Sequence, residues 1–304
     1  MPASNNRASW YRSPALSVAL LASIALLVAC SSNESTPELI NETPTETTVV
    51  PSQVAQAPDW GHVHNLSLTG DTVYIGSHNG FWKQDVGKDP VLLSQPTFDV
   101  MGLAGSNDKW FASGHPGPDM EAPSDLGLIE SVDGGVTWQS LSLLGEVDFH
   151  RLVSAGDILL GITARDGSLL RSTDGGRTWS DLQTPLIFDL AINPISPDLV
   201  IATTENGSLR SEDGGANFAP IATPVQLLLV AWGDQGLYAA SMDGQILFSN
   251  DNGVSWITRG SLAGTPVSLA ADAGNVAGVV SDAILVSTDG GSTFVKRIAS
   301  SGEH

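Results

Sequence analysis

The chain has 304 residues, 41% of them hydrophobic, with 33 acidic side chains against 13 basic ones and a formal net charge of −20 at pH 7. That is enough apolar material for a globular body, while the charge excludes nucleic-acid binding through phosphate contacts and makes anionic lipid headgroups a poor partner. The single cysteine, Cys30, excludes a disulfide within the chain.

The first segment, 1–29, carries an address. Arg7 and Arg12 precede any acidic residue, and Ala15 to Ala29 is an apolar stretch too short to span a membrane. It ends Leu27-Val28-Ala29-Cys30, which resembles a bacterial lipobox. The resemblance implies cleavage before Cys30, lipidation of its thiol and acylation of the new amino terminus, so that several acyl chains anchor the protein in the membrane. Residues 30–58 are rich in Ser, Thr, Pro and Glu, with no aromatic or basic side chain, and are expected to form a disordered spacer. Ser31 stands where an Asp would signal inner-membrane retention. The expected location is the cell envelope: the outer membrane of a Gram-negative cell, otherwise the outer face of the cytoplasmic membrane.

From 59 to 299 the chain reads as short strands, with 300–304 a tail. Apolar runs such as Val73-Tyr74-Ile75-Gly76, Trp110-Phe111-Ala112-Ser113 and Leu199-Val200-Ile201-Ala202 are separated by Gly, Asn and Asp, and no sustained helical period occurs. Each run follows a companion, and six companions can be counted. They begin at Val63, Val100, Phe149, Phe188, Val225 and Val267.

One eight-residue pattern recurs five times from residue 131 onward. Ser131-Val132-Asp133-Gly134-Gly135-Val136-Thr137-Trp138 is the first copy and Ser172-Thr173-Asp174-Gly175-Gly176-Arg177-Thr178-Trp179 the second. Weaker copies centre on Asp213, Asp251 and Asp289, and the five aspartates stand 41, 39, 38 and 38 residues apart. That period is the length of one four-stranded propeller blade. The copies resemble Asp boxes (BNR repeats), found in sialidases, sortilin-type receptors and photosystem assembly factors. The resemblance implies an all-β propeller of six four-stranded blades, the first having lost its box around Trp82-Lys83-Gln84-Asp85; seven blades is the alternative if residues 45–60 join the ring. Asp133, Asp174, Asp213, Asp251 and Asp289 are expected to be structural, their carboxylates holding turn amides while glycines supply positive φ.

Aligning the six first strands puts His64, Met101, His150, Asp189, Gln226 and Ser268 in one column around the channel. His78 and His115 fall in matching loops after the second strands, and His62 lies two residues before His64. Five of the six histidines thus gather on one face of three adjacent blades. Imidazoles converge for metal binding or proton transfer, and a thioether among them points to copper before zinc. The candidate ligands are His62, His64, His78, Met101, His115 and His150, with Asp99 and Asp148 placed to orient imidazoles. A polar channel satisfied by water, or a histidine-lined substrate pocket, accounts for the same residues without a metal. The insertion Pro116 to Leu126 directly follows His115 and is a candidate lid.

The Asp-box resemblance also implies an enzymatic reading, which the sequence does not favour. It has no Arg-Ile-Pro motif, and its arginines do not assemble into a sialidase carboxylate clamp. A glycosidase of another kind would need two carboxylates across one cleft. The remaining expectation is a propeller that presents a face to a protein or glycan partner, with no nucleic acid involved.

Overall fold

A computed structural model describes residues 54–106 and 109–300. The signal segment, Cys30, most of the spacer and residues 301–304 lie outside the described residues. The rest forms 24 strands in six antiparallel sheets of four, with no helix among the described residues. Each sheet takes its strands in consecutive order, giving blades over 63–92, 98–142, 149–182, 187–221, 227–261 and 268–298. First strands pack on first strands around the ring, and the first closes on the sixth. This is a six-bladed β-propeller, as the repeat period predicts.

The second strands read as continuous apolar runs because both their faces are covered by neighbouring blades. Val73, Ile75, Trp110, Ala112, Leu159, Val200, Leu237 and Val276 are all fully buried. Blades approach one another closely where residues are small. A side chain at Gly102 would run into the carbonyl oxygen of Phe149 on the next blade. Ala55, within the segment read as spacer, forms a parallel bridge to Ile298 at the edge of blade 6. It donates its amide to the Arg297 carbonyl and accepts from the Ala299 amide, both at 3.0 Å. It is an edge on the sixth blade and adds no seventh.

The five aspartate turns share one geometry. In the second, the Ser172 hydroxyl donates to Asp174 at 2.8 Å and accepts the Gly176 amide at 2.9 Å. Asp174 in turn accepts the Thr178 amide at 2.9 Å and its hydroxyl at 2.6 Å. The Trp179 indole donates to the Gly176 carbonyl at 3.1 Å and to Ser142 of blade 2 at 3.0 Å, so the turn also fixes the neighbour. Gly176 sits at φ +87°, where a Cβ would collide with Leu128 of blade 2. These turns join third to fourth strands, on the face opposite the starts of the first strands.

At the start of the first strand, five of the six blades carry a β-bulge, which turns one residue out of the ladder. The bulged residues are His64, Met101, His150, Phe188 and Leu228, and Val267 occupies the corresponding place on blade 6. The column expected from sequence is therefore correct for blades 1–3 and displaced on blades 4–6, where Asp189, Gln226 and Ser268 do not belong to it. Asp189 and Ser268 point between blades, accepting the amides of Val230 at 2.8 Å and Leu66 at 3.0 Å. Gln226 donates to the Thr204 carbonyl at 2.7 Å.

Candidate functional site

Arg151 reaches across the channel. Its guanidinium lies 3.3 Å from Asp189 on blade 4 and donates at 3.2 Å to the carbonyl of Val267 on blade 6, directly across the ring. Burial pushes the Asp189 carboxyl up to about 6, against the pull of Arg151 and the Val230 amide. Nothing in the sequence singled out Arg151; its place follows from the bulge that turns His150 outward and leaves the next side chain facing the channel.

The mouth divides into two arcs. Blades 4–6 contribute apolar residues, the bulged Phe188 and Leu228 and the equivalent Val267, and blades 1–3 the histidines and Met101. The histidines form two trios, each built around a carboxylate two residues ahead of a bulge.

In the first trio, Asp99 of blade 2 faces two imidazoles of blade 1. His64 Nε2 lies 3.2 Å from Asp99 Oδ1, and His78 Nδ1 lies 3.0 Å from Asp99 Oδ2. Burial works to raise the Asp99 carboxyl, but the two imidazoles outweigh it and hold it below its ordinary range. His64 Nε2 and Asp99 Oδ1 are both sealed from solvent, and neither has a hydrogen-bond partner of acceptable geometry. One donor atom from each of His64, His78 and Asp99 lies within 4.8 Å of the other two.

The second trio is built differently, with Asp148 between His115 of blade 2 and His150, its neighbour two residues along on blade 3. His150 Nε2 is 3.0 Å and His115 Nε2 3.5 Å from Asp148 Oδ2. His115 Nδ1 donates to the Ser124 carbonyl at 2.8 Å, so the inserted loop fixes the ring's orientation. Burial opposes protonation of His115; the Ser124 carbonyl and the carboxylates of Asp148, Asp99 and Asp125 outweigh it and raise its pKa above the ordinary histidine value. The insertion expected as a lid thus buttresses His115, and Leu126 anchors it in the core between blades 1 and 2.

The remaining two candidates stand apart from these trios. His62 is 79% exposed and leans toward blade 6, 3.8 Å from Asp282. Met101 occupies its bulge half-buried, its carbonyl accepting the Asn65 side-chain amide across the blade boundary.

No protein-family model matches the chain, and no curated protein matches its sequence. Among solved structures it is similar to YCF48 bound to a D1 peptide, at 20% identity and a TM-score of 0.51 over 80% of this chain and 84% of that one. The WD40 propeller of Doa1 aligns at 11% identity with a TM-score of 0.52, over 81% and 84% of the two chains. An ancestral GH74 enzyme aligns at 15% identity with a TM-score of 0.47, over 77% of this chain and 36% of its own. At these identities the likeness to YCF48 and Doa1 is one of fold, and what this chain shares with them is the propeller.

Proposed function

We propose that this protein is an envelope-anchored β-propeller that binds a transition metal ion, copper or zinc, between His64, His78 and Asp99 at the mouth of its channel. The observation that supports this most directly is the convergence of one donor atom from each of His64, His78 and Asp99 within 4.8 Å, with the buried His64 Nε2 and Asp99 Oδ1 3.2 Å apart. Ligands at about 2.0–2.2 Å from one tetrahedral ion are separated by roughly 3.3–3.6 Å, close to this spacing. Two imidazoles and a carboxylate suit zinc with an open fourth position. The Met101 thioether, on the adjoining bulge, would shift the preference to copper if it reached the ion.

The test is elemental analysis of protein purified without a histidine tag and equilibrated with micromolar copper or zinc. One equivalent of metal is expected, lost in His64→Ala/His78→Ala while near-ultraviolet circular dichroism is unchanged. Absence of bound metal in the parent protein, or retention by the double variant, would overturn the reading.

A broader role accompanies this one: the mouth face would be presented to a protein partner. A propeller of this fold holds a D1 peptide in YCF48, and the exposed Phe188 and Val267 offer apolar contact on the same face here. An anchor at Cys30 would restrict that partner to the cell envelope.

A further inference from the structure

The second trio does not converge as the first does. Instead, Asp148 stands between His115 and His150 at the inner end of a cleft of about 540 Å³ that runs outward over blade 3. The cleft is lined by the carboxylates of Asp125, Glu146, Asp148, Asp166 and Asp181, against Arg165 and the imidazoles of His115 and His150. Asp148 is the second observation that raises this above an acidic surface. Its side chain is only 6% exposed; Oδ2 faces His150 and His115, while Oδ1 is buried without a hydrogen-bond partner. Asp166 is held in place by the Thr163 hydroxyl at 2.6 Å and the Ser168 amide at 3.1 Å, so this wall of the cleft is preorganised.

We propose that this cleft receives a lysine or arginine side chain of a partner polypeptide, with Asp148 as its inner counter-charge. An elongated cation fits better than a bare metal ion, because carboxylates spread along a cleft cannot all reach one small ion. A polypeptide fits better than a free amine because apolar side chains adjoin the charged wall. Leu186 is exposed and packs over Gly167, between the cleft residues Asp166 and Ser168, with Phe188 exposed two residues further on. A basic residue flanked by apolar ones would use both features at once, and the protein's net charge of −20 would speed its approach. The inference is independent of metal at the first trio.

The experiment is selection of random twelve-residue peptides displayed on phage against the full-length protein in detergent, with fluorescence anisotropy of individual winners. The selected peptides are expected to be enriched in Lys or Arg beside Leu, Ile or Phe. Replacing the basic residue of a winner by citrulline or norleucine should weaken binding at least tenfold. Asp148→Asn should do the same, and so should Asp166→Asn/Asp181→Asn, a pair at the accessible part of the cleft that guards against misfolding of the first variant. His64→Ala/His78→Ala should bind the peptides like the parent. Failure to select peptides, selection without basic enrichment, or equal binding by the citrulline peptide would overturn the proposal. So would displacement of the peptide by free arginine or spermidine at the peptide's own affinity, since the ligand would then be a small cation.

Discussion

Ser172→Ala isolates what one aspartate turn contributes. Ser172 is 1% exposed, and its hydroxyl accepts the Gly176 amide at 2.9 Å while donating to Asp174 at 2.8 Å. Removing that oxygen leaves the Gly176 amide without its partner in a place closed to water, and Gly176 cannot turn away because it is pressed on Leu128. An unsatisfied buried donor costs about 1–3 kcal/mol. For a domain of this size that corresponds to a fall in melting temperature of about 2–12 °C. Urea titration followed by tryptophan fluorescence measures it, with Ser180→Ala, at an exposed position on the adjoining strand, as the comparison within about 0.5 kcal/mol of the parent. A Ser172→Ala protein as stable as Ser180→Ala would refute the idea that these turns tie the blades together.

The same turns predict acid sensitivity. Asp133, Asp213 and Asp251 are held at about 2, first by the side chains of Thr137, Asn217 and Ser255 respectively, and Asp174 and Asp289 lie lower still. Because the unfolded carboxyls take up protons first, this stabilisation is complete above about pH 5 and lost as pH falls from about 5 toward 2. The urea midpoint should drop over that interval, less steeply in Asp251→Asn; an equally steep drop in the variant would count against it. Cys30→Ala should leave the chain uncleaved or free it from the membrane fraction, and normal processing with membrane retention would rule out a lipid anchor.

The architecture was legible because it is written locally. Each turn sequence reports its own blade, and five copies spaced near 40 residues leave little freedom in the count. The mouth column was legible only where the first strand has a distinctive residue at the bulge, as at His64 and His150. In Leu227-Leu228-Leu229-Val230 every residue is apolar, so no alternation marks which one leaves the ladder, and the register went astray there. Asp99 and Asp148 were visible as companions of the histidines. The contacts across blade boundaries, of Asp99 with His64 and His78 and of Asp148 with His115, were not, because they depend on how closely adjacent sheets approach. Arg151 escaped notice for a related reason: its partners, Asp189 and the Val267 carbonyl, lie on other blades, 38 and 116 residues further along the chain.

Each blade is drawn wholly from consecutive residues, so the ring has one noncovalent seam, between blades 6 and 1. Ser268 meets Leu66 there, Asp272 accepts the Gly70 amide at 2.7 Å, Asn275 reaches Asp71 at 2.8 Å, and Arg297 reaches Gln84 at 2.5 Å. These bonds, with the Ala55 bridge, do the work that a polypeptide link does at the other five junctions. The order of blades in the gene is therefore separable from their order in the ring. A circular permutant that joins residue 299 to residue 55 through a short linker and opens the chain between blades 3 and 4, near Thr184, should rebuild the same disc with its seam relocated. Both histidine trios would remain intact in such a protein, since blades 1–3 stay covalently continuous.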